Sequence, residues 1–141
     1  MKYIETEVNG KPLFLMYNGS AMFDLQERYT HEVEGECGEI HEEPQNITEV
    51  IEQGGKKGFE ALCDVAAVLA EQGELYRRFM GYDRAEIMTA KEIAVLATPE
   101  DILNLRLAVI KAVILGLKRE VDDPNEERDL VLEELNKKKV K

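Results

Sequence analysis

The residues with most chemical potential crowd one segment: His31, Cys37 and His41, set among Glu32, Glu34, Glu36, Glu39, Glu42 and Glu43. On a helix, Cys37 and His41 would lie one turn apart on one face. Zinc sites favour paired short spacings and four good ligands. Gly35, Gly38 and Pro44 oppose a rigid helix, so residues 30–45 read as a solvated acidic loop and no metal ligand is assigned. Cys63 sits on an apolar helical stripe and reads as a small core residue. The many carboxylates lack the apolar setting that raises one member of an acid/base pair. Gly54-Gly55-Lys56-Lys57-Gly58 lacks the spacing of a phosphate-binding loop and follows a helix, so it reads as a flexible helix junction. The expectation is a protein without catalytic residues, metal or cofactor: not an enzyme.

Composition points the same way. With 141 residues, 29 acidic against 18 basic side chains and 44% hydrophobic residues, the chain suits a single domain, 1–141, with a real core. A net charge of −11 argues against broad binding to nucleic acid or to an anionic membrane. There is no membrane-length apolar run and no signal-peptide pattern at the N-terminus, and two cysteines suit a reducing compartment. A cytoplasmic protein is expected.

The elements that must position any binding residues follow from turn and cap signals. Asn9-Gly10 between Tyr3, Ile4, Thr6, Val8 and Leu13, Phe14, Leu15, Met16 predicts a β-hairpin over residues 1–17 with a type I′ turn and Pro12 at an edge. A helix capped by Ser20 is expected through Tyr29. Asn46-Ile47-Thr48-Glu49 starts a short helix stopping at Gly54-Gly55. From Phe59 an apolar stripe predicts a long helix to about Met80, ended by Gly81. Gly73 lies on that stripe, where it would let a neighbouring helix approach closely. Thr89 and Thr98 each open a capped helix, with Pro99 in the first turn of the second. That second helix, 102–117, is apolar nearly all round and must be covered on most sides, as a core helix or a subunit contact. Asn104, Lys111 and Lys118 recur along it every seven residues. A last helix and a basic tail complete residues 122–141. The fold class is mainly α with a short N-terminal β-hairpin (α+β): residues 18–121 form the helical core.

Two helices across a tight turn at Thr98 resemble a helix-turn-helix, but the second would lead with Glu100 and Asp101 towards phosphates. A small cytosolic DNA-binding or antitoxin-type regulator is therefore the alternative, and a hydrolase using the acidic loop the third reading. The segments Gly10-Lys11-Pro12-Leu13 through Tyr17-Asn18-Gly19-Ser20-Ala21-Met22-Phe23-Asp24-Leu25, Val65-Ala66-Ala67-Val68-Leu69-Ala70-Glu71-Gln72-Gly73-Glu74-Leu75 and Arg77-Arg78-Phe79-Met80-Gly81-Tyr82-Asp83 resemble tail assembly chaperones of phages or prophages of Gram-positive bacteria. The resemblance implies a non-enzymatic protein that binds the tape measure protein and helps recruit tail tube subunits in the host cytoplasm. It carries over no site residues. It also implies a longer frameshifted form, for which consecutive Lys137, Lys138 and Lys139 would supply an A-rich codon run; equally, these lysines complement a helix end. From the residues themselves, Leu107, Ile110, Ile114, Val131, Leu132 and Leu135 are the candidate partner-binding side chains. An exposed strand edge and the apolar helix favour a homo-oligomer, most simply a two-fold dimer.

Overall fold

Asn9 and Gly10 adopt φ values of 53° and 78° and close a two-residue turn between β1 (Ile4–Val8) and β2 (Lys11–Leu15), as a computed structural model describing residues 2–118 shows. Positive φ at both turn positions matches the right-handed twist of the strands. The register runs from Ile4↔Leu15 to Val8↔Lys11, with Glu7↔Pro12 in between. The pair beside a two-residue turn exchanges ladder hydrogen bonds and the next pair does not, so Pro12 costs the ladder nothing.

Both faces of β2 are covered. Leu13, Phe14 and Leu15 are buried, which a lone two-stranded ribbon could not achieve in water. The cover comes from α3 (Gly55–Phe79) against β2 and from α5 (Pro99–Leu117) against β1. The approach to α3 is close enough that the Met16 N–H donates to the Leu69 carbonyl at 3.0 Å. A Cβ on Gly73 would overlap the Phe14 carbonyl. Gly73 therefore admits a strand, not the neighbouring helix that its place on the stripe suggested.

Helix α1 (Gly19–Arg28) starts one residue before Ser20, because the Asn18 side chain accepts from the Ala21 N–H at 2.9 Å and is the N-cap instead. The same Asn18 donates to Gln72 Oε1 at 3.0 Å, fixing the entry of α1 on α3. At the other end, the Tyr29 hydroxyl donates to Asp64 at 3.1 Å. Helix α2 (Ile47–Ile51) is capped by Asn46 as expected. Helix α3 begins at Gly55 rather than Phe59, so the glycine-lysine stretch is its first turn and not a junction; a Cβ on buried Gly58 would overlap the Gln53 carbonyl. Gly81, at φ 90°, ends α3, with the Tyr82 N–H reaching the Arg77 carbonyl and the Gly81 N–H the Arg78 carbonyl. This crossed pair of bonds is a Schellman cap.

The acidic segment differs from its sequence reading. Residues 30–45 are not a loop but hold a second antiparallel hairpin, β3 (Thr30–Glu34) with β4 (Ile40–Pro44), in the register Thr30↔Pro44 to Glu34↔Ile40. Gly38, at φ 83°, and a 2.7 Å bond from the Gly35 N–H to the Glu39 carbonyl shape its turn. The ribbon is closed at its base by Gln45 N–H to the Tyr29 carbonyl. Its strands are exposed apart from half-buried Val33, so no apolar alternation marked them.

Capping boxes at Thr89 and Thr98 start α4 (Ala90–Leu96) and α5, and Pro99 stands in the first turn of α5, all as expected. The core joins β1 and β2 to one face each of α1, α3 and α5: Val8, Leu13, Leu15, Leu25, Leu62, Leu69, Leu105 and Val109 are among its members. The fold is a mainly helical α+β domain. The expected last helix and basic tail lie outside the described residues.

Candidate functional site

Helix α5 has two apolar faces. Leu105, Ala108, Val109, Ala112 and Val113 are buried against the rest of the domain. Leu103, Leu107, Ile114 and Leu117 stand 61%, 58%, 49% and 65% exposed, and Ile110 is half-buried in line with them. The steps between these five are four, three, four and three residues. That 3.5-residue period is the seam by which one helix meets another along its length. Full cover, expected for a helix so apolar, is met on one face only among the described residues.

Of the six partner-binding residues expected from sequence, Leu107 and Ile114 lie on this seam and point outward; Ile110 shares the line but also packs against the core. Val131, Leu132 and Leu135 lie outside the described residues. Sequence reasoning missed Leu103 and Leu117, although the four-three spacing would have found both.

Charge is distributed unevenly beside the seam. Asn104, Lys111 and Lys118 each follow a seam residue by one position and are exposed, forming a single flank. Arg106 precedes Leu107 on the other side. Acidic residues occur only in the first turn, where Glu100 is exposed and Asp101 caps the helix. The Asp101 carboxylate also accepts from the Asn9 N–H at 3.1 Å, so it holds the β1–β2 turn on the helix start. The Thr98 and Asn9 backbone N–H groups keep that carboxyl below its ordinary pKa. The acidic residues of α5 therefore stand at its N-terminal end, where Thr98 caps it.

The residues with reactive side chains are otherwise engaged or dispersed. His31 pairs with Glu43 and His41 with Val33 across the β3–β4 ribbon, and His41 Nε2 meets Glu43 at 2.9 Å. Cys37 sits in the connecting turn, and no group of three metal-ligating side chains converges among the described residues. Cys63 is buried on α3, and burial, reinforced by Asp64 and Glu60, pushes its thiol up to about 11, far from a thiolate at neutral pH.

Sequence reasoning also missed Glu74, which is only 2% exposed. Its Oε1 accepts from Arg77 at 2.7 Å, and its Oε2 accepts from Arg78 at 2.9 Å and from the Ala85 N–H at 2.8 Å. Burial alone would raise the Glu74 carboxyl. The Ala85, Arg78 and Arg77 bonds outweigh it and hold the pKa below the ordinary value. Arg77 lies 4.0 Å over the Phe14 ring and donates to the Asp83 carbonyl, while Arg78 donates to the Ala85 carbonyl. This carboxylate is a clasp that straps the 80–89 connection to α3. Its signal was a charge on the buried stripe with arginines three and four residues on.

Comparison with known proteins finds no matching family model, no matching curated protein and no matching solved structure.

Proposed function

We propose that this protein is a non-enzymatic tail assembly chaperone that docks a helix of the tape measure protein along the 103–117 seam of α5, in the host cytoplasm, and so brings tail tube subunits to it. The observation that carries the proposal is the seam itself: four exposed apolar side chains at helix-pairing spacing on the outer face of α5, with half-buried Ile110 in line between them. Long helical partners are read by such stripes, with i, i+4 and i+7 anchors. The flank with Lys111 and Lys118 beside neutral Asn104 selects a helix with acidic edges. Among the described residues no helix is long and apolar enough to cross a membrane, which suits a protein that works on other proteins.

The test is capture of helical tape measure fragments by the immobilised full chain. The wild-type protein is expected to retain a fragment that the Leu107→Lys, Ile114→Lys double variant releases, with affinity lowered roughly a hundredfold for two lost anchors. Both sites are exposed, so the variant keeps its fold. Blank capture by the wild-type protein across the tape measure sequence would remove this reading.

A further inference from the structure

We propose that an aromatic groove at the C-terminal end of α3 docks a proline-rich, acidic segment of a partner protein in the polyproline II conformation. This surface is separate from the seam of α5.

Three parts of the chain assemble the groove. Tyr3 comes from just before β1, Tyr76 from the last turn of α3, Met80 from its cap and Tyr82 from the connection that follows. With Lys2 they line a cavity of about 290 Å³. Gly81 turns the chain back at the end of α3, and the Tyr82 N–H bonds to the Arg77 carbonyl, so Tyr82 lies beside the helix instead of beyond it. The chain has nine aromatic residues, and Tyr3, Phe14, Tyr76, Phe79 and Tyr82 gather at this end. Such enrichment marks the anchoring part of an interface.

The rings are fixed from beneath. Tyr3 meets Phe14 edge-on with ring centres 5.6 Å apart, and Tyr76 at 6.2 Å. The Arg77 guanidinium, gripped by Glu74, lies 4.0 Å from the centre of the Phe14 ring and 5.3 Å from that of Tyr82. A groove ordered before binding loses little freedom when it binds. Met80 and Tyr82 nonetheless remain 55% exposed each.

Shape and charge choose the occupant. A partner helix is read through anchors on several successive turns. Helix α3 gives the groove only Tyr76 and, at its cap, Met80, one turn apart. A short aromatic slot suits polyproline II instead, whose proline rings stack on tyrosine and whose backbone is ordered in advance. Aromatic rings also take cations and nucleobases. A cation here would meet Lys2 in the lining and Arg77 already over the Tyr82 ring. Arg77 and Arg78 share the one carboxylate of Glu74, so this end keeps a positive charge, while Asp83 and Arg84 offset each other. A nucleic acid would meet a chain of net charge −11. The local positive charge favours carboxylates beside the prolines.

The probe is a fluorescein-labelled decaproline with glutamates at both ends, titrated with the full-length chain and followed by fluorescence anisotropy. It should bind at least roughly tenfold more tightly than a glycine-serine peptide with the same glutamates, and more tightly than decaproline ending in lysines. Met80→Ala and Tyr82→Ala, both at exposed positions, should each weaken binding roughly tenfold. The Leu107→Lys, Ile114→Lys double variant should bind the probe as the wild-type chain does, which separates this result from capture of a tape measure fragment. Absence of binding, equal binding of the glycine-serine or lysine-ended peptide, or binding that survives both alanine substitutions would overturn the proposal. Tighter binding of a trimethyl-lysine peptide would assign the rings to a cation and overturn it as well.

Discussion

Glu74 shows how much one side chain can hold. Three donors converge on a carboxylate buried beneath two arginines, and each arginine also holds a backbone carbonyl of the 80–89 connection. Removing one partner from a buried charge network leaves the others uncompensated. Glu74→Gln is expected to lower unfolding free energy by about 3 kcal/mol at pH 7, measured by chemical denaturation. The pH dependence has a definite sign. The folded pKa lies below the ordinary 4.5, so the carboxylate's contribution is complete above that value and is lost as pH falls through the folded pKa. The stability gap between wild type and Glu74→Gln should therefore narrow in acid, and a constant gap would contradict the clasp. In sequence Glu74 is one of 29 acidic residues, and most such residues are solvated. Only its place on the apolar stripe of α3 distinguished it.

At the scale of elements, the closest fit is strand on helix. Alanine is the better helix former by about 1 kcal/mol, so Gly73→Ala would stabilise an isolated α3. In the fold its Cβ meets the Phe14 carbonyl, which belongs to backbone and cannot rotate away. The expected outcome is net destabilisation of about 2 kcal/mol, with a fall in melting temperature readable by circular dichroism. Local chemistry made some elements legible and hid others. Asn9-Gly10 declared β1–β2, and the threonine capping boxes declared α4 and α5, because turns and caps are decided by a few adjacent side chains. The β3–β4 ribbon was hidden because its strands bury almost nothing, leaving no period-two pattern. Gly73 was recognisable as a site of close approach, but which element approaches depends on tertiary packing that no local pattern encodes.

For the whole molecule, the seam and the free ribbon edges make different demands. The seam asks for a helix, whereas the edges of the exposed β3–β4 ribbon offer copies of the protein a place to pair. Self-association by that route should give a light-scattering mass above 16.0 kDa at micromolar concentration. It should be lost on introducing a proline at Glu32, where it would stand on the ribbon. A monomer mass for the wild-type chain would remove the proposal of a homo-oligomer. The seam was half legible: the apolar richness of α5 was plain, yet which side faced the core depended on where β1 and β2 come to rest.

The bond from Asn9 to Asp101 joins positions 92 apart, and this has a consequence for biogenesis. Translation delivers the first hairpin long before the helix that shelters it. At roughly 5–20 residues per second, the interval between Leu15 and Pro99 is on the order of ten seconds. Through that interval Val8, Leu13 and Leu15 have no α5 to lie against. The strands are therefore made well before part of their cover, so the yield in the cell should depend on whatever shields a newborn ribbon until α5 has been translated.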